Sequence, residues 1–373
     1  MAVNTLLFDF SVESSMVKTE SAYVTLAKNI EEVLREFIQE LKLVNEFNLA
    51  ESFVKIYTSV RAALVNLRIY DNGLITLNIE YFRNDDSEPL VSYQTWSQLQ
   101  KELRFKVLAI KTSHMNPAIV RQKIPRMFPS SDERILEYDI DELVFEQITP
   151  YQKVQILHSK SMGNMLVLDD LQNLAESDLI YTETLMQRGK ENYESKEVVI
   201  LGGGDGALLY ELLKEKPKEV VMLEIDDVVM KACSKHMRSV CGDVLDKLEG
   251  PNYKIIVGDC MVTLEQYIKE GRKFDYIFGD LTDIPIEENE SPELWSFIIK
   301  IMKMSFKVLK PDGKFMTHVT GTCSPQAIEA YKQKLLKFNP PLKFTTDKAF
   351  VPSFLEEWVF CQISLVDLST AKE

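Results

Sequence analysis

The run Leu201-Gly202-Gly203-Gly204-Asp205-Gly206 lies between a short apolar segment, Val198–Leu201, and a stretch of helical spacing, Ala207–Lys214. Glycines at such a junction let the backbone turn sharply and approach a ligand closely. The rhythm then repeats. Apolar runs at Val220–Leu223, Ile255–Val257, Tyr276–Phe278 and Phe315–His318 alternate with helical stretches at Asp227–His236, Met261–Lys269 and Pro292–Leu309. Short strands separated by helices form a parallel, doubly wound α/β sheet of the Rossmann-like type, with ligands at the carboxyl ends of the strands.

Acids mark those ends: Asp205 in the glycine turn, then Glu224, Asp259 and Asp280 after the second, third and fourth strands. Each can cap the helix that follows. Together they converge on one crevice, and Glu224 stands where an acid accepts two ribose hydroxyls. A pyrophosphate over the loop would face Asp205, so a dinucleotide fits poorly. An adenosyl sulfonium carries positive charge and no phosphate, and fits better. The turn Leu309-Lys310-Pro311-Asp312-Gly313-Lys314 is usual in sheets of the S-adenosylmethionine methyltransferase type, which keeps methyl transfer open as a rival.

Composition agrees with a cationic ligand. The formal charge is −14, which disfavours nucleic acid and favours cations. Five cysteines without a C-x-x-C pair, and four scattered histidines, argue for reduced thiols in the cytosol and against a metal centre. With no run of 18 apolar residues and no basic-then-apolar leader, neither a membrane span nor secretion is expected.

Two regions precede the sheet. Residues 1–120 mix strands at Val3–Val12, Phe53–Tyr57, Ala63–Tyr70 and Leu74–Tyr81 with helices at Ala22–Leu43 and Thr95–Phe105, and Asp71-Asn72-Gly73 signals a hairpin. Residues 121–182 read as a small β domain with strands Arg134–Tyr138, Glu142–Gln147, Val154–His158 and Met165–Leu168. Residues 183–373 form the catalytic domain. Trp96, Trp295 and Trp358 read as core or interface, and Glu287-Glu288-Asn289-Glu290 as a solvated loop.

Ile200–Gly206, Leu223–Asp226 and the run Asn173-Leu174-Ala175-Glu176-Ser177-Asp178-Leu179-Ile180-Tyr181-Thr182 resemble the polyamine aminopropyltransferases. Leu136–Glu142, Pro150-Tyr151-Gln152, Ile156–Ser159 and Val351-Pro352-Ser353 with Leu355-Glu356 are similar to the spermine synthases among them. The resemblance runs over about residues 120–373 and recurs in Asn66–Tyr70. It implies that Asp280 is the acid–base residue, with Asp205 and Tyr181 beside it. It assigns the adenosyl donor to Gln152, Gly202, Gly203, Gly204, Glu224, Asp226, Asp259 and Cys260. The acceptor falls to Tyr181, Asp205, Asp280, Phe354 and Glu356, and Asp283 matches a second acid of spermidine synthases. Residues 1–120 are similar to an S-adenosylmethionine decarboxylase-like dimerisation domain.

A cytosolic homodimer converting spermidine to spermine follows as the expectation. Decarboxylated S-adenosylmethionine is the co-substrate, 5′-methylthioadenosine the by-product, and no metal or separate cofactor is implied. Spermidine or thermospermine synthesis, a methyltransferase and a non-catalytic dimeric relative are the alternatives.

Overall fold

The structure, a computed structural model, describes residues 2–84, 87–109, 111–112, 117–281 and 292–366. The chain divides into two compact units, Met1–Pro125 and Arg126–Glu373.

The first unit is an antiparallel seven-stranded sheet. Its order is Lys42–Leu49, Ser52–Ser59, Ala63–Tyr70, Leu74–Arg83 and Ala2–Ser11, and Lys111–Thr112 and Ile119–Gln122 both pair with Ala2–Ser11. Alternation in the hairpin strands buries Val65, Leu67, Ile69, Ile75, Leu77 and Ile79 on one face. They share one core with Leu26, Ile30 and Leu34 of helix Glu20–Phe37, and with Leu99 and Leu103 of helix Tyr93–Lys106. Thr19 and Ser92 cap those helices through their side chains. The helix expected over Ala22–Leu43 stops at Phe37. Glu40 adopts a left-handed φ of 51°, which reverses the chain into the edge strand Lys42–Leu49, exposed at every position.

In the second unit, strands Ile140–Ile148, Lys153–Ser159, Gly163–Leu168 and Leu171–Ala175 form an antiparallel sheet in sequence order. Val154, Ile156 and Leu166 from it share a core with Val229, Ala232, Cys233 and Met237. The small sheet therefore rests on helix Asp227–His236.

The main sheet has eight strands. Tyr253–Val257, Glu219–Glu224, Glu197–Gly202, Phe274–Asp280 and Leu309–Gly321 run parallel in that spatial order. Alternate residues of the same strands serve two cores: Val199, Leu201, Val221, Leu223 and Ile277 on one face, Val198, Ile200, Val220, Met222 and Phe278 on the other. Burial on both faces is why these strands read as unbroken apolar runs. Antiparallel strands flank this parallel core at both edges: at one, Glu249–Gly250 pairs antiparallel to Tyr253–Val257. At the other, Glu356–Leu365 pairs antiparallel to Leu309–Gly321, and Leu342–Val351 pairs antiparallel to it. Among the described residues no helix is long and apolar enough to cross a membrane.

Candidate active site

The strand order reverses between Glu197–Gly202 and Phe274–Asp280, and such a switch point opens a crevice at the strand ends. Gly202 pairs with Asp280 there. Gly202 has φ +84°, and a Cβ on it would lie 2.1 Å from the Asp280 carbonyl oxygen. The Gly203 N–H donates to that same oxygen at 3.3 Å. A Cβ on Gly204 would come within 2.8 Å of the Glu224 carboxylate. The glycine run thus does more than turn the chain: it admits Asp280 and Glu224 to the crevice.

A cavity of about 460 Å³ lies there. Its acidic lining is Asp169, Asp205, Glu224, Asp259 and Asp280; neither Lys nor Arg is among the described lining residues. Capping and lining coexist. Asp205 Oδ1 accepts the Ala207 N–H at 2.7 Å and Asp259 Oδ1 accepts the Met261 N–H at 2.8 Å. Glu224 Oε1 accepts the Asp226 N–H at 2.8 Å.

Crowding and burial disfavour charge in the cavity. Burial pushes the Glu224 carboxyl up to about 7. Asp205 faces the cavity and stays partly exposed, yet it lies deep enough that desolvation raises its carboxyl, with the neighbouring Asp280 adding to the effect. Burial, then Asp259, raises the Cys260 thiol to about 12. That thiol packs as a small neutral group.

Tyr181 reaches the same point from helix Leu179–Leu185. Buried Asp178, at the start of that helix, accepts from the Ala175 N–H at 2.7 Å and the Ser353 N–H at 2.9 Å. These bonds tie the helix to the Pro352–Phe354 turn. The Tyr181 hydroxyl donates to Asp280 Oδ1 at 3.1 Å and lies 2.9 Å from His318 Nδ1. Phe354 packs edge-on to the Tyr181 ring and against Trp358.

A family model described as the spermine/spermidine synthase domain matches residues 178–367, and one described as the spermidine synthase tetramerisation domain matches 127–176. The chain belongs to the spermine/spermidine synthase family. Both matches fall within Arg126–Glu373. A polyamine aminopropyltransferase of Pyrobaculum calidifontis is 31% identical over 194 residues, 51% of this chain and 64% of that protein. One from Pyrobaculum aerophilum is 29% identical over 234 residues, 61% and 77% of the two chains. Thermospermine synthase ACAULIS5 of Arabidopsis thaliana is 31% identical over 239 residues, 61% of this chain and 66% of that one. The spermidine synthase structure from Thermotoga maritima agrees in fold, with a TM-score of 0.51 at 19% identity over 65% of this chain and 80% of that one.

In this spermine/spermidine synthase family member, the cavity wall brings together Gln152, Tyr181, Gly202, Gly203, Gly204, Asp205, Glu224, Asp259, Cys260, Asp280 and Phe354 of the residues expected from sequence. Two others sit elsewhere. Asp226 is not at the wall: its carboxylate accepts from the Val228 N–H, from Thr149 Oγ1 at 2.8 Å and from Gln152 Nε2 at 3.1 Å. It therefore caps a helix and holds Gln152 from behind. Glu356 is also off the wall, because its buried carboxylate accepts from Ser131 Oγ at 2.8 Å and the Cys323 N–H at 2.6 Å. Asp283 and the acidic stretch Glu287–Glu290 lie outside the described residues.

His318 and Trp358 line the cavity as well. Neither was among the sites expected from sequence. His318 follows Thr317, which pairs with Gly279 beside Asp280; the strand-end logic that selects four acids extends to this fifth strand.

The placement of Glu356 makes a stability prediction. Glu356→Ala strips partners from Ser131 and the Cys323 N–H, and leaving such groups unsatisfied costs about 1–3 kcal/mol. Thermal unfolding should show that loss. An unchanged Tm with a selectively raised spermidine KM would return Glu356 to the acceptor end.

Proposed function

We propose that the protein is an aminopropyltransferase, moving the aminopropyl group of decarboxylated S-adenosylmethionine onto spermidine to give spermine and 5′-methylthioadenosine. The single observation that carries this reading is the cavity lining of five carboxylates with neither Lys nor Arg among the described residues. Decarboxylated donor brings a sulfonium and an ammonium, and a polyamine brings further ammonium groups. Opposite charges complement such a wall in a way a phosphate-bearing ligand does not. Intact S-adenosylmethionine carries a carboxylate that would face these acids without a cationic partner. That counts against methyl transfer.

The proposed roles follow from charge. An ammonium has no lone pair, so Asp280 takes a proton from the acceptor while Tyr181 and Asp205 hold the nitrogen in line with the donor carbon. The new C–N bond forms as the C–S bond breaks, and its electron pair stays on sulfur. The leaving thioether is neutral and needs no acid. Gln152, Glu224, Asp259 and Cys260 would hold the adenosyl part, and Phe354 the methylene chain of the acceptor. Similarity to the spermine synthases over Leu136–Glu142 and at Val351-Pro352-Ser353 with Leu355-Glu356 supports spermidine as acceptor. The test of the donor is calorimetric: decarboxylated donor should bind at least tenfold more tightly than intact S-adenosylmethionine. Equal affinity would sink the charge argument.

Glu224→Gln should weaken methylthioadenosine binding by about 1–3 kcal/mol, since a carboxylate accepting ribose hydroxyls is charge-assisted. Unchanged affinity in the same titration removes Glu224 from the ribose. A pH signature accompanies it. Burial raises the folded pKa from the ordinary 4.5 to about 7, so the native state binds the extra proton. Its contribution to stability is present below the unfolded pKa and is lost as pH rises through about 7. The Tm of Glu224→Gln, measured against the parent without ligand, should therefore gain over that window.

The proposal also includes a homodimer formed through residues 1–120. Edge strand Lys42–Leu49 leaves Leu43, Val44, Phe47 and Leu49 exposed, an apolar edge of the kind that associates. Val44→Glu with Phe47→Glu should shift sedimentation to the monomer. A persisting dimer would locate the interface elsewhere.

A further inference from the structure

We propose that His318 is the terminal proton acceptor of the transfer reaction, reached from Asp280 through the Tyr181 hydroxyl; this rests on the aminopropyl-transfer reading above. Tyr181 owns one hydroxyl proton and stands 3.1 Å from Asp280 Oδ1 and 2.9 Å from His318 Nδ1, a nitrogen that accepts when the imidazole carries its proton on Nε2. The imidazole and the carboxylate stand 3.8 Å apart, beyond hydrogen-bond length. The phenol is the bridge between them.

Before the reaction, Tyr181 donates to the Asp280 carboxylate, which lowers the cost of its charge. Once Asp280 has taken the ammonium proton, it no longer needs that donor. With His318 protonated on Nε2, Nδ1 presents a lone pair. The Asp280 proton then moves to the Tyr181 oxygen as the Tyr181 proton moves to His318 Nδ1. Asp280 is restored as a carboxylate and His318 becomes imidazolium. The balance closes: acceptor ammonium and donor sulfonium give a secondary ammonium, a neutral thioether and one proton, and that proton rests on His318 before leaving to water in the cavity.

Charge gives the relay its direction. The restored Asp280 carboxylate, 3.8 Å away, steadies the imidazolium. His318 is buried on strand Leu309–Gly321. Tyr181 faces it from helix Leu179–Leu185, and Asp280 from strand Phe274–Asp280. Strand Glu356–Leu365 sets the uncharged Phe360 beside it in register, and Asp205 and Glu224 share the cavity.

The experiment compares the full-length parent with His318→Asn and His318→Leu, using decarboxylated donor and spermidine and following methylthioadenosine release from about pH 6 to 9, which spans the imidazole titration. Asparagine can restore a hydrogen bond to Tyr181 and cannot carry the proton. Both variants should lose kcat on the order of 10- to 100-fold, somewhat below the effect of losing the direct base. KM should stay within a few-fold, methylthioadenosine binding should be retained, and the deficit should shrink at high pH, where free amine accumulates. If His318→Asn keeps the parent kcat and pH profile, His318 merely orients Tyr181 and the relay is wrong. The same holds if both variants turn over like the parent. A parent that releases no methylthioadenosine with any polyamine removes the transfer reading itself, and the relay with it.

Discussion

Asp280→Asn is expected to lower kcat by roughly 10²–10⁴-fold, the usual consequence of losing a general base, while methylthioadenosine still binds. The substitution is nearly isosteric. The backbone oxygen of Asp280, which accepts the Gly203 N–H, is untouched, so the glycine turn and the adenosyl side of the cavity should persist. Tyr181 can still donate to the amide oxygen in place of Oδ1, to which it donates at 3.1 Å. What disappears is the ability to accept a proton from the acceptor ammonium. The residual rate should therefore depend on amine that is already neutral in solution, and should climb with pH more steeply than that of the parent. Initial rates across pH, with calorimetric titration of methylthioadenosine, check both halves. A variant within a few-fold of the parent rate would show that another group takes the proton.

Gly202→Ala should damage stability and turnover together. Its φ of +84° lies in the left-handed region, and its Cβ would sit 2.1 Å from the Asp280 carbonyl oxygen. The backbone conformation costs about 1–2 kcal/mol for a residue with a Cβ. Relief of the overlap adds about 1–3 kcal/mol, so the sum is about 2–5 kcal/mol. Relief must come by moving a backbone atom, and that atom belongs to the proposed base. We expect a lower Tm and a fall in kcat approaching that of Asp280→Asn even at temperatures where the variant stays folded. A variant that unfolds early yet keeps full kcat at low temperature would show that the Gly202–Asp280 contact is structural alone.

The doubly wound sheet was legible because its central strands are buried on both faces, so that Val198–Leu201 and Val220–Leu223 are continuous apolar runs. The acids at the strand ends were legible for a related reason: strand order fixes where those ends meet. Edges were harder. Leu342–Val351 carries only one buried residue, Val351, so it lacks a strand's apolar signature until its partner Glu356–Leu365 is known. The Lys42–Leu49 strand is masked by the helical spacing of the residues before it. Side-chain direction was the other gap. Asp226 and Glu356 occupy the expected positions in sequence, but each spends its carboxylate on neighbouring donors. His318 shows the converse case. Four scattered histidines mark no site in the sequence, and only the register that sets Thr317 against Gly279 brings His318 to Tyr181 and Asp280.

The most direct measurement of the central claim is a product assay. The protein is incubated with decarboxylated S-adenosylmethionine and, separately, with putrescine or spermidine, and the polyamines and nucleosides are resolved by mass spectrometry. The account predicts spermine and an equal amount of methylthioadenosine from spermidine, with putrescine converted far more slowly. Putrescine turned over as well as spermidine would contradict the longer acceptor, and methylated product from intact S-adenosylmethionine, with none from the decarboxylated donor, would contradict aminopropyl transfer altogether.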